Sequence, residues 1–266
     1  MRKLLILFSA LAFLGCSNHD DLPCLSCSDL YQRNSSSSVF SSSSSSSLAP
    51  SSSSSSIQAA INYGPSVTYQ GYTYETVVIG EQTWFQRNLN YAVAGSKCYD
   101  NDGANCAIYG RLYDWETAMK LPGCNSKICS SQIDAKHHQG ICPDGWHIPS
   151  NADWDKLFRH VDGTNGTESP YDSPTAGRYL KAASGWDDYQ GKSGNGENKY
   201  GFSALPGGGG NSDGSFSIVG TNGSWWSASE YDSGYAITRY MGYYSEYVYY
   251  GYGGKVTLFS VRCVQD

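Results

Sequence analysis

A serine tract sets the strongest limit on how this chain can fold. Residues 35–56 contain 17 serines in 22 positions. Such a segment cannot bury enough apolar surface to offset the entropy lost when it is ordered. We therefore predict that residues 17–56 form a disordered, serine-rich tether and that one globular domain occupies residues 57–266.

The first residues have the pattern of an export signal. Two basic residues precede an apolar run, Leu4–Leu14, which is too short to span a bilayer. The run ends at Phe13-Leu-Gly-Cys16, which resembles the lipobox of bacterial lipoproteins except that Phe13 replaces the usual aliphatic residue. We predict that residues 1–16 are a lipoprotein signal peptide, that Cys16 is acylated, and that the exported protein is lipid-anchored to the cell envelope, at the outer membrane or cell surface. A plain secretory signal is the alternative.

Charge argues against nucleic acid as a partner. The net charge is −6, and only 16 % of the residues are charged. Proteins that bind nucleic acid present basic stripes or runs of lysine, and this sequence has neither.

Residue patterns predict a hairpin followed by three short helices. The hairpin pairs Tyr72–Ile79 with Gln82–Leu89 across Gly80-Glu81. Serines are expected to cap the second and third helices, at Ser150 with Asp153 and at Ser173 before Pro174, and Gly185 is expected to end the third. Apolar spacing predicts the buried helix residues: Leu112, Trp115 and Met119 in the first, Trp154, Leu157, Phe158 and Val161 in the second, and Tyr179, Leu180 and Ala183 in the third.

The helical period then disappears. Residues 186–224 are rich in Gly, Asn, Asp and Ser, with four consecutive glycines at Gly207–Gly210, and predict long loops. Short strands are expected to close the chain near Trp225–Ser229, Tyr235–Met241, Tyr247–Tyr250 and Val256–Val264. This order predicts an α+β fold with antiparallel strands, in which the domain ends lie close together.

Eight segments, taken in order, resemble one known family. They are Thr76–Trp84, Asn88–Asn90, Cys98–Asp102 with Asn105-Cys106, Tyr109–Trp115, Cys142–Ser150 with Trp154 and Leu157, Gly201–Gly207, Trp225–Ser227 and Ser260–Val264. Taken together, they resemble the Fibrobacter succinogenes major paralogous domain, and the resemblance extends in order over nearly all of residues 66–266. The resemblance implies a fold similar to C-type lectin-like domains and to formylglycine-generating enzymes. It also implies secretion or a lipid anchor.

Six cysteines lie in the predicted domain, and their spacing alone does not fix a pairing. Cys98 is close in sequence to Cys106, and Cys124 is close to Cys129, which would leave Cys142 with Cys263. C-type lectin-like folds similarly connect a helix to the last strand by a disulfide. Zinc held by Cys124, Cys129, His137 and His138 is the alternative, but an oxidising compartment favours disulfides.

The sequence offers little for catalysis. Formylglycine-generating chemistry, which the resemblance brings into consideration, relies on a reactive cysteine pair near the C-terminal end of the domain, where only Cys263 is present. His147, just before Ile148-Pro149, suits a hydrogen-bonded structural role. We therefore predict that the protein is not an enzyme.

No cofactor is predicted, with structural calcium as the alternative. Sugar-binding C-type lectins hold calcium through Glu-Pro-Asn or Gln-Pro-Asp together with Trp-Asn-Asp, and none of these tripeptides occurs here. Oxygen atoms suited to a hard cation are instead supplied by two loops. The candidates are Asp100, Asp102 and Asn105 in one loop, and Asp162, Asn165 and Glu168 in the other. The same residue types are common in turns.

Aromatic residues are the best candidates for ligand binding, because they bring large contact area at low cost in side-chain entropy. The candidates are Trp186, Tyr189, Tyr200, Tyr243, Tyr244, Tyr247 and Tyr249. In a strand, Tyr247 and Tyr249 share one side while Val248 and Tyr250 share the other. The other five tryptophans after the hairpin are expected in the core: Trp115, Trp146, Trp154, Trp225 and Trp226.

From these patterns we predict a non-catalytic, surface-anchored binding or adhesion lipoprotein. Its expected partner is polysaccharide or another envelope component. The alternatives are a structural envelope protein without a ligand of its own, and a divergent enzyme of the formylglycine-generating type.

Overall fold

A computed structural model describes residues 60–163 and 172–266. The predicted signal peptide, the acylation site Cys16, the serine-rich tether and the calcium candidates Asn165 and Glu168 lie outside these residues. The helices are α1 (Gly103–Tyr109), α2 (Trp115–Met119), α3 (Asn151–Asp162) and α4 (Ala176–Leu180). The strands are β1 (Tyr63–Tyr69), β2 (Tyr72–Ile79), β3 (Gln82–Phe85), β4 (Leu112–Tyr113), β5 (Trp146–His147), β6 (Asp188–Tyr189), β7 (Lys192–Ser193), β8 (Gly207–Gly210), β9 (Phe216–Val219), β10 (Asn222–Glu230), β11 (Tyr235–Gly242), β12 (Val248–Gly254), β13 (Phe259–Ser260) and β14 (Val264–Gln265).

Two main sheets organise the α+β fold. The first has the order β1-β2-β3-β14-β5 and is antiparallel throughout. The second has the order β12-β11-β10-β13-β4, and β8 and β9 extend it beside β10. Because β14 pairs with β3, the end of the chain lies beside the first hairpin, as predicted. Within the described residues, none of the helices has the length and apolar character needed to cross a bilayer.

Strand β10 divides the hydrophobic core into two clusters. Trp225 and Trp226 are consecutive residues, so their side chains point to opposite faces of the sheet. Trp226 belongs to the same buried cluster as Trp115 and Trp146, whereas Trp225 belongs to the cluster of Trp84 and Trp154. All five tryptophans expected in the core are buried.

Helix α3 forms as the sequence predicts. Asp153 N–H donates to Ser150 Oγ at 3.3 Å, and Ser150 N–H donates to Asp153 Oδ2 at 2.9 Å, which completes the capping box. The four apolar residues of its predicted face are buried. Gly163, at φ 67°, ends the helix in the left-handed conformation that glycine favours.

The other elements differ in extent from the predictions. Strand β3 ends at Phe85 rather than Leu89, and Leu112 lies in β4 rather than in α2. Ser173 Oγ accepts from Ala176 N–H at 3.2 Å, but the N-cap position of α4 is occupied by Thr175, so the helix begins two residues later than predicted. However, Lys181 is already extended, so α4 ends before Ala183, which is exposed, and Gly185 belongs to a later turn.

The largest correction concerns the four consecutive glycines, which were predicted to lie in a loop. Gly207–Gly210 form the buried strand β8, which pairs with β9 and β10. Gly208 has φ +65°, and a Cβ atom there would lie 2.6 Å from the Ser217 carbonyl oxygen. Side chains are excluded because neighbouring backbone and rings approach so closely, and glycine is therefore a requirement of this strand.

Three disulfides connect the six cysteines of the described chain: Cys98–Cys106, Cys124–Cys129 and Cys142–Cys263. This is the predicted pairing, and it uses both cysteines of the alternative zinc site. The Cys142–Cys263 bridge joins the segment before β5 to the segment before β14. The two cysteines are 121 residues apart in sequence.

Candidate functional site

The candidate site is built on the hairpin of β11 and β12. Its register places Tyr240 opposite Tyr249 and Met241 opposite Val248. Met241 and Val248 are buried in the core cluster that contains Trp225. Tyr240 and Tyr249 therefore point to the other face of the sheet, as the alternation along Tyr247–Tyr250 predicted for Tyr249.

Six tyrosines form a continuous group on this side of the hairpin, and we call the group the tyrosine face. Its members are Tyr189, Tyr240, Tyr243, Tyr244, Tyr247 and Tyr249. Ring centroids are 4.8 Å apart for Tyr240 and Tyr249 and 5.5 Å apart for Tyr247 and Tyr249, and both pairs are stacked. Tyr244 joins this stack to Tyr189 and Tyr243 through centroid distances of 6.1, 6.1 and 5.9 Å.

The six rings divide into three outer and three supporting rings. Tyr189, Tyr244 and Tyr247 are 38 %, 44 % and 43 % exposed. Tyr243 and Tyr249 are partly buried and lie against the outer rings Tyr189 and Tyr247, and Tyr240 is partly buried and stacks on Tyr249. Burial is the main reason that the pKa of Tyr240 is raised, so its phenol keeps its proton. The outer rings are the ones that a ligand meets first.

A pocket of about 190 Å³ opens between the β6–β7 hairpin and the turn after β11. Tyr189, Tyr243 and Tyr244 form its aromatic walls. Its polar lining consists of Arg178, Lys181, Lys192, Ser193, Asn195, Ser245 and Glu246. Arg178 is also paired with Glu197 at 2.6 Å. The pocket thus combines aromatic surface with hydrogen-bonding groups, which is the usual composition of a small-molecule site.

Two of the predicted ligand-binding residues do not belong to this site. Trp186 is only 4 % exposed, and its Nε1 donates to the Ala204 carbonyl at 3.0 Å. Tyr200 is partly buried against the core, and its described ring contacts are with His160 and Lys199. The remaining candidates, Tyr189, Tyr243, Tyr244, Tyr247 and Tyr249, all lie in the tyrosine face.

Sequence reasoning missed Tyr240. The sequence pattern places Tyr240 only near the end of a strand. Its position opposite Tyr249 depends on the hairpin register, which the sequence does not show. Tyr250 and Tyr252 point to the opposite side, where Arg239 lies 4.5 Å from the Tyr250 ring centroid and Tyr231 lies 4.3 Å from Tyr252.

The described calcium candidates make hydrogen bonds within turns and caps. Asp102 caps α1 by accepting from Ala104 N–H at 2.9 Å, and Asn105 donates to the Tyr99 carbonyl at 3.1 Å. Asp100 adopts a left-handed turn at φ 54°. Asp162 accepts from the hydroxyls of Ser173 and Thr175. Among residues 60–163 and 172–266, no three acidic, histidine or cysteine side chains are grouped so that they could hold a metal ion.

His147 has the structural role that its sequence context predicted. Its Nδ1 lies 2.8 Å from Asp266 Oδ1 and its Nε2 lies 3.3 Å from Asp153 Oδ2. Burial disfavours the charged imidazolium, but the hydrogen bonds to the two carboxylates outweigh this effect and raise the pKa of His147. The ring joins β5 to the start of α3 and to the residue after β14.

A second polar arrangement lies in the interior, and we call it the Asn88 network: Asn88, Trp225, Ser260 and Arg262. Asn88 Oδ1 accepts from Trp225 Nε1 at 2.8 Å and from Arg262 Nη2 at 2.6 Å, while its Nδ2 donates to Ser260 Oγ at 3.2 Å. Arg262 also donates to backbone carbonyls, including that of Gln86 at 2.9 Å. All four residues belong to the segments that carry the family resemblance.

Comparison with known proteins gives one match. A family model described as the Fibrobacter succinogenes major domain matches residues 77–265. The match runs from β2 to β14 and therefore includes both the Asn88 network and the tyrosine face. No curated protein and no solved structure gives a significant match.

Proposed function

The chain belongs to the Fibrobacter succinogenes major domain family, and from this premise we propose that it is a non-catalytic binding protein whose tyrosine face holds a polysaccharide. The observation that carries the proposal is the joining of three exposed rings, Tyr189, Tyr244 and Tyr247, to a pocket with polar walls. Sugar rings present apolar C–H faces and hydroxyl edges. Tyrosines supply the complementary ring faces and hydroxyls, and the pocket supplies further donors and acceptors.

The proposal places this protein at the cell surface. Export and acylation of Cys16 would anchor it, and residues 17–56 would hold the domain away from the membrane. Three disulfides suit an exported protein, because they form and persist in oxidising compartments. The finer assignment to a C-type lectin-like fold is supported by the bridge between Cys142, close before α3, and Cys263, beside the last strand.

Binding is proposed to need neither calcium nor catalysis. Asp102, Asn105 and Asp162 already use their side chains within the protein. All six cysteines of the described chain are in disulfides, so none of them is a free thiol for chemistry of the formylglycine-generating type. These observations favour a binding protein over a divergent enzyme.

Retention on insoluble polysaccharides tests the proposal. The full chain, purified in detergent, is applied to neutral polymers such as cellulose and xylan and to uronic acid polymers such as alginate, with and without a calcium chelator. We expect retention on at least one polymer, unchanged by the chelator. Absence of retention on every polymer would contradict the proposal and favour a structural envelope role.

A matched control separates site binding from general aromatic adhesion. Tyr63 and Tyr72 are 58 % and 46 % exposed, but they lie on β1 and β2, outside the tyrosine face. The double variant Tyr63→Ala/Tyr72→Ala should be retained like the wild type, whereas Tyr244→Ala/Tyr247→Ala should not. Equal retention of the two variants would show that the tyrosine face is not the binding site.

A further inference from the structure

A buried lysine lies beneath the tyrosine face. Lys181 directly follows α4 and is only 3 % exposed. Burial lowers the pKa of its ammonium to about 8, although Glu246 partly offsets the effect. A lysine is seldom buried to this degree unless its donors are satisfied, so its partners show what it does.

Each of the three hydrogen-bonding partners of Lys181 is a backbone carbonyl. Nζ lies 2.6 Å from the Gly194 oxygen, 3.2 Å from the Gly242 oxygen and 3.0 Å from the Ser245 oxygen. It also lies 5.0 Å from the centroid of the Trp186 ring. An ammonium has three N–H donors, so these carbonyls use its full capacity.

These carbonyls belong to the two segments that carry the pocket tyrosines. Gly194 follows the β6–β7 hairpin, which holds Tyr189. Gly242 and Ser245 flank Tyr243 and Tyr244 in the turn after β11. The two segments are far apart in sequence, and one ammonium bonds to both.

Close backbone packing at the same place is an independent observation. A Cβ atom on Gly194 would lie 2.9 Å from Tyr243 Cβ, and one on Gly196 would lie 2.6 Å from Lys181 Cβ. On the other side of Lys181, a Cβ atom on Gly177 would lie 2.6 Å from the carbonyl oxygens of Glu246 and Tyr247. The hairpin, the turn and α4 therefore meet around Lys181 with room only for glycine.

We infer that Lys181 is the positioning residue of the tyrosine face, which it assembles by holding the β6–β7 hairpin and the turn after β11 in one arrangement. Its loss separates Tyr189 from Tyr243 and Tyr244 and opens the pocket, while the stack of Tyr240 and Tyr249 is held by the sheet. The prediction that loss of Lys181 weakens polysaccharide binding rests on the proposed function. The prediction that the ring contacts change does not rest on it.

Ring contacts measured by nuclear magnetic resonance test the inference without a ligand. In Lys181→Met, which keeps the chain length and loses the donors, the through-space contact between Tyr189 and Tyr243 should disappear. Their centroids are 5.2 Å apart. The contact between Tyr240 and Tyr249 should remain. Lys199→Met is the matched control, because Lys199 is an exposed lysine over the rings of Tyr179 and Tyr200, and it should change neither contact. Persistence of the Tyr189–Tyr243 contact in Lys181→Met, or joint loss of both contacts in a variant that remains folded, would overturn the inference.

Two further measurements cover the cases in which Lys181→Met does not fold or the protein binds no polysaccharide. Lys181→Arg keeps a charged donor and should restore the Tyr189–Tyr243 contact at least in part. In the wild type, the Lys181 ammonium protons should exchange with water at least about tenfold more slowly than those of Lys199, because all three are hydrogen-bonded. Equal exchange rates would contradict the inference.

Where wild-type retention exists, Lys181→Met should weaken it at least about tenfold, whereas unchanged retention would contradict a positioning role. If no polymer is retained, the proposed function fails, and the ring contacts still decide the role of Lys181.

Discussion

The Asn88 network and the tyrosine face use polar side chains in opposite ways. In the network, Asn88 bonds inside the protein to Trp225 and Arg262, which are 137 and 174 residues away from it in sequence. In the tyrosine face, the hydroxyl-bearing rings of Tyr189, Tyr244 and Tyr247 are presented to solvent. The first arrangement stabilises the fold, and the second is available to a partner.

The segments that carry the family resemblance belong to the first region and not to the second. Asn88, Trp225, Ser260 and Arg262 all lie in those segments, whereas the six tyrosines lie outside every one of them. Membership of the family therefore predicts how the chain folds. The proposed binding site lies between those segments, and three of its tyrosines, Tyr189, Tyr243 and Tyr244, line one pocket.

The largest expected effect comes from breaking the network. Asn88→Ala removes the acceptor that Arg262 and Trp225 share and leaves a buried cation partly unsatisfied. We expect the free energy of unfolding to fall by about 4 kcal/mol. Denaturant unfolding measures it. A loss below about 1 kcal/mol would show that the Asn88 network contributes little to the stability of the fold.

Gly208 is a buried residue that also supports the fold but lies outside the family segments. Gly208→Ala puts a side chain at φ +65° and within 2.6 Å of the Ser217 carbonyl oxygen. We expect a loss of about 3 kcal/mol from strain and overpacking. Gly71→Ala is the control, since its φ is also positive, at +81°, but nothing lies within 4 Å. It should cost only the backbone strain, about 1 kcal/mol. If the two variants unfold at the same denaturant concentration, close packing at β8 does not contribute.

Single substitutions should divide the tyrosine face into its outer and supporting rings. Alanine at Tyr244 or Tyr247 should weaken polysaccharide binding about tenfold each, which is about 1.4 kcal/mol, and change stability by less than about 0.5 kcal/mol. Alanine at Tyr240 or Tyr249 should lower both affinity and stability, because these rings are partly buried in the stack. Affinity electrophoresis and thermal unfolding measure the two effects. Equal stability losses at all four positions would contradict the division.

The smallest effect is a pH dependence that belongs to the fold alone. The pKa of His147 is raised in the folded protein by Asp153 and Asp266, against the opposing effect of burial. Its charge therefore contributes stability that is complete below the unfolded pKa of 6.5 and is lost as the pH rises through the folded value. Between about pH 5 and pH 8, the stability difference between wild type and His147→Gln should shrink, while the affinities of both stay equal. A constant difference would contradict the ion-pair assignment.

Local patterns predicted much of the fold. The capping box at Ser150, the hairpin that starts at Tyr72 and the two-sided arrangement of Tyr249 and Val248 all follow from periods of a few residues, and all are present. The disulfide pairs close in sequence were also predictable. These features depend on neighbours along the chain, which the sequence displays directly.

The errors arose where distant residues decide the outcome. Gly207–Gly210 have loop composition, yet they form a strand because they pair with β9 and β10. They are glycines because Phe216, Phe259 and Tyr109 occupy the space where side chains would lie. Trp186 follows a turn glycine, yet its side chain is buried. Its Nε1 donates to the Ala204 carbonyl, and its ring belongs to a core cluster. Tyr240 belongs to the tyrosine face because the register of β11 and β12 places it opposite Tyr249. No single segment of the sequence contains these relationships.

We propose that the tyrosine face binds polysaccharide and that the Asn88 network stabilises the fold, and one experiment separates the two properties. Polysaccharide retention and melting temperature are measured together for wild type, Asn88→Ala and the triple variant Tyr189→Ala/Tyr244→Ala/Tyr247→Ala. We expect that the triple variant loses retention while its melting temperature stays within about 2 °C of wild type, and that Asn88→Ala melts at least about 10 °C lower yet is still retained below its melting temperature. A triple variant that keeps its fold and is retained as strongly as wild type would contradict the account.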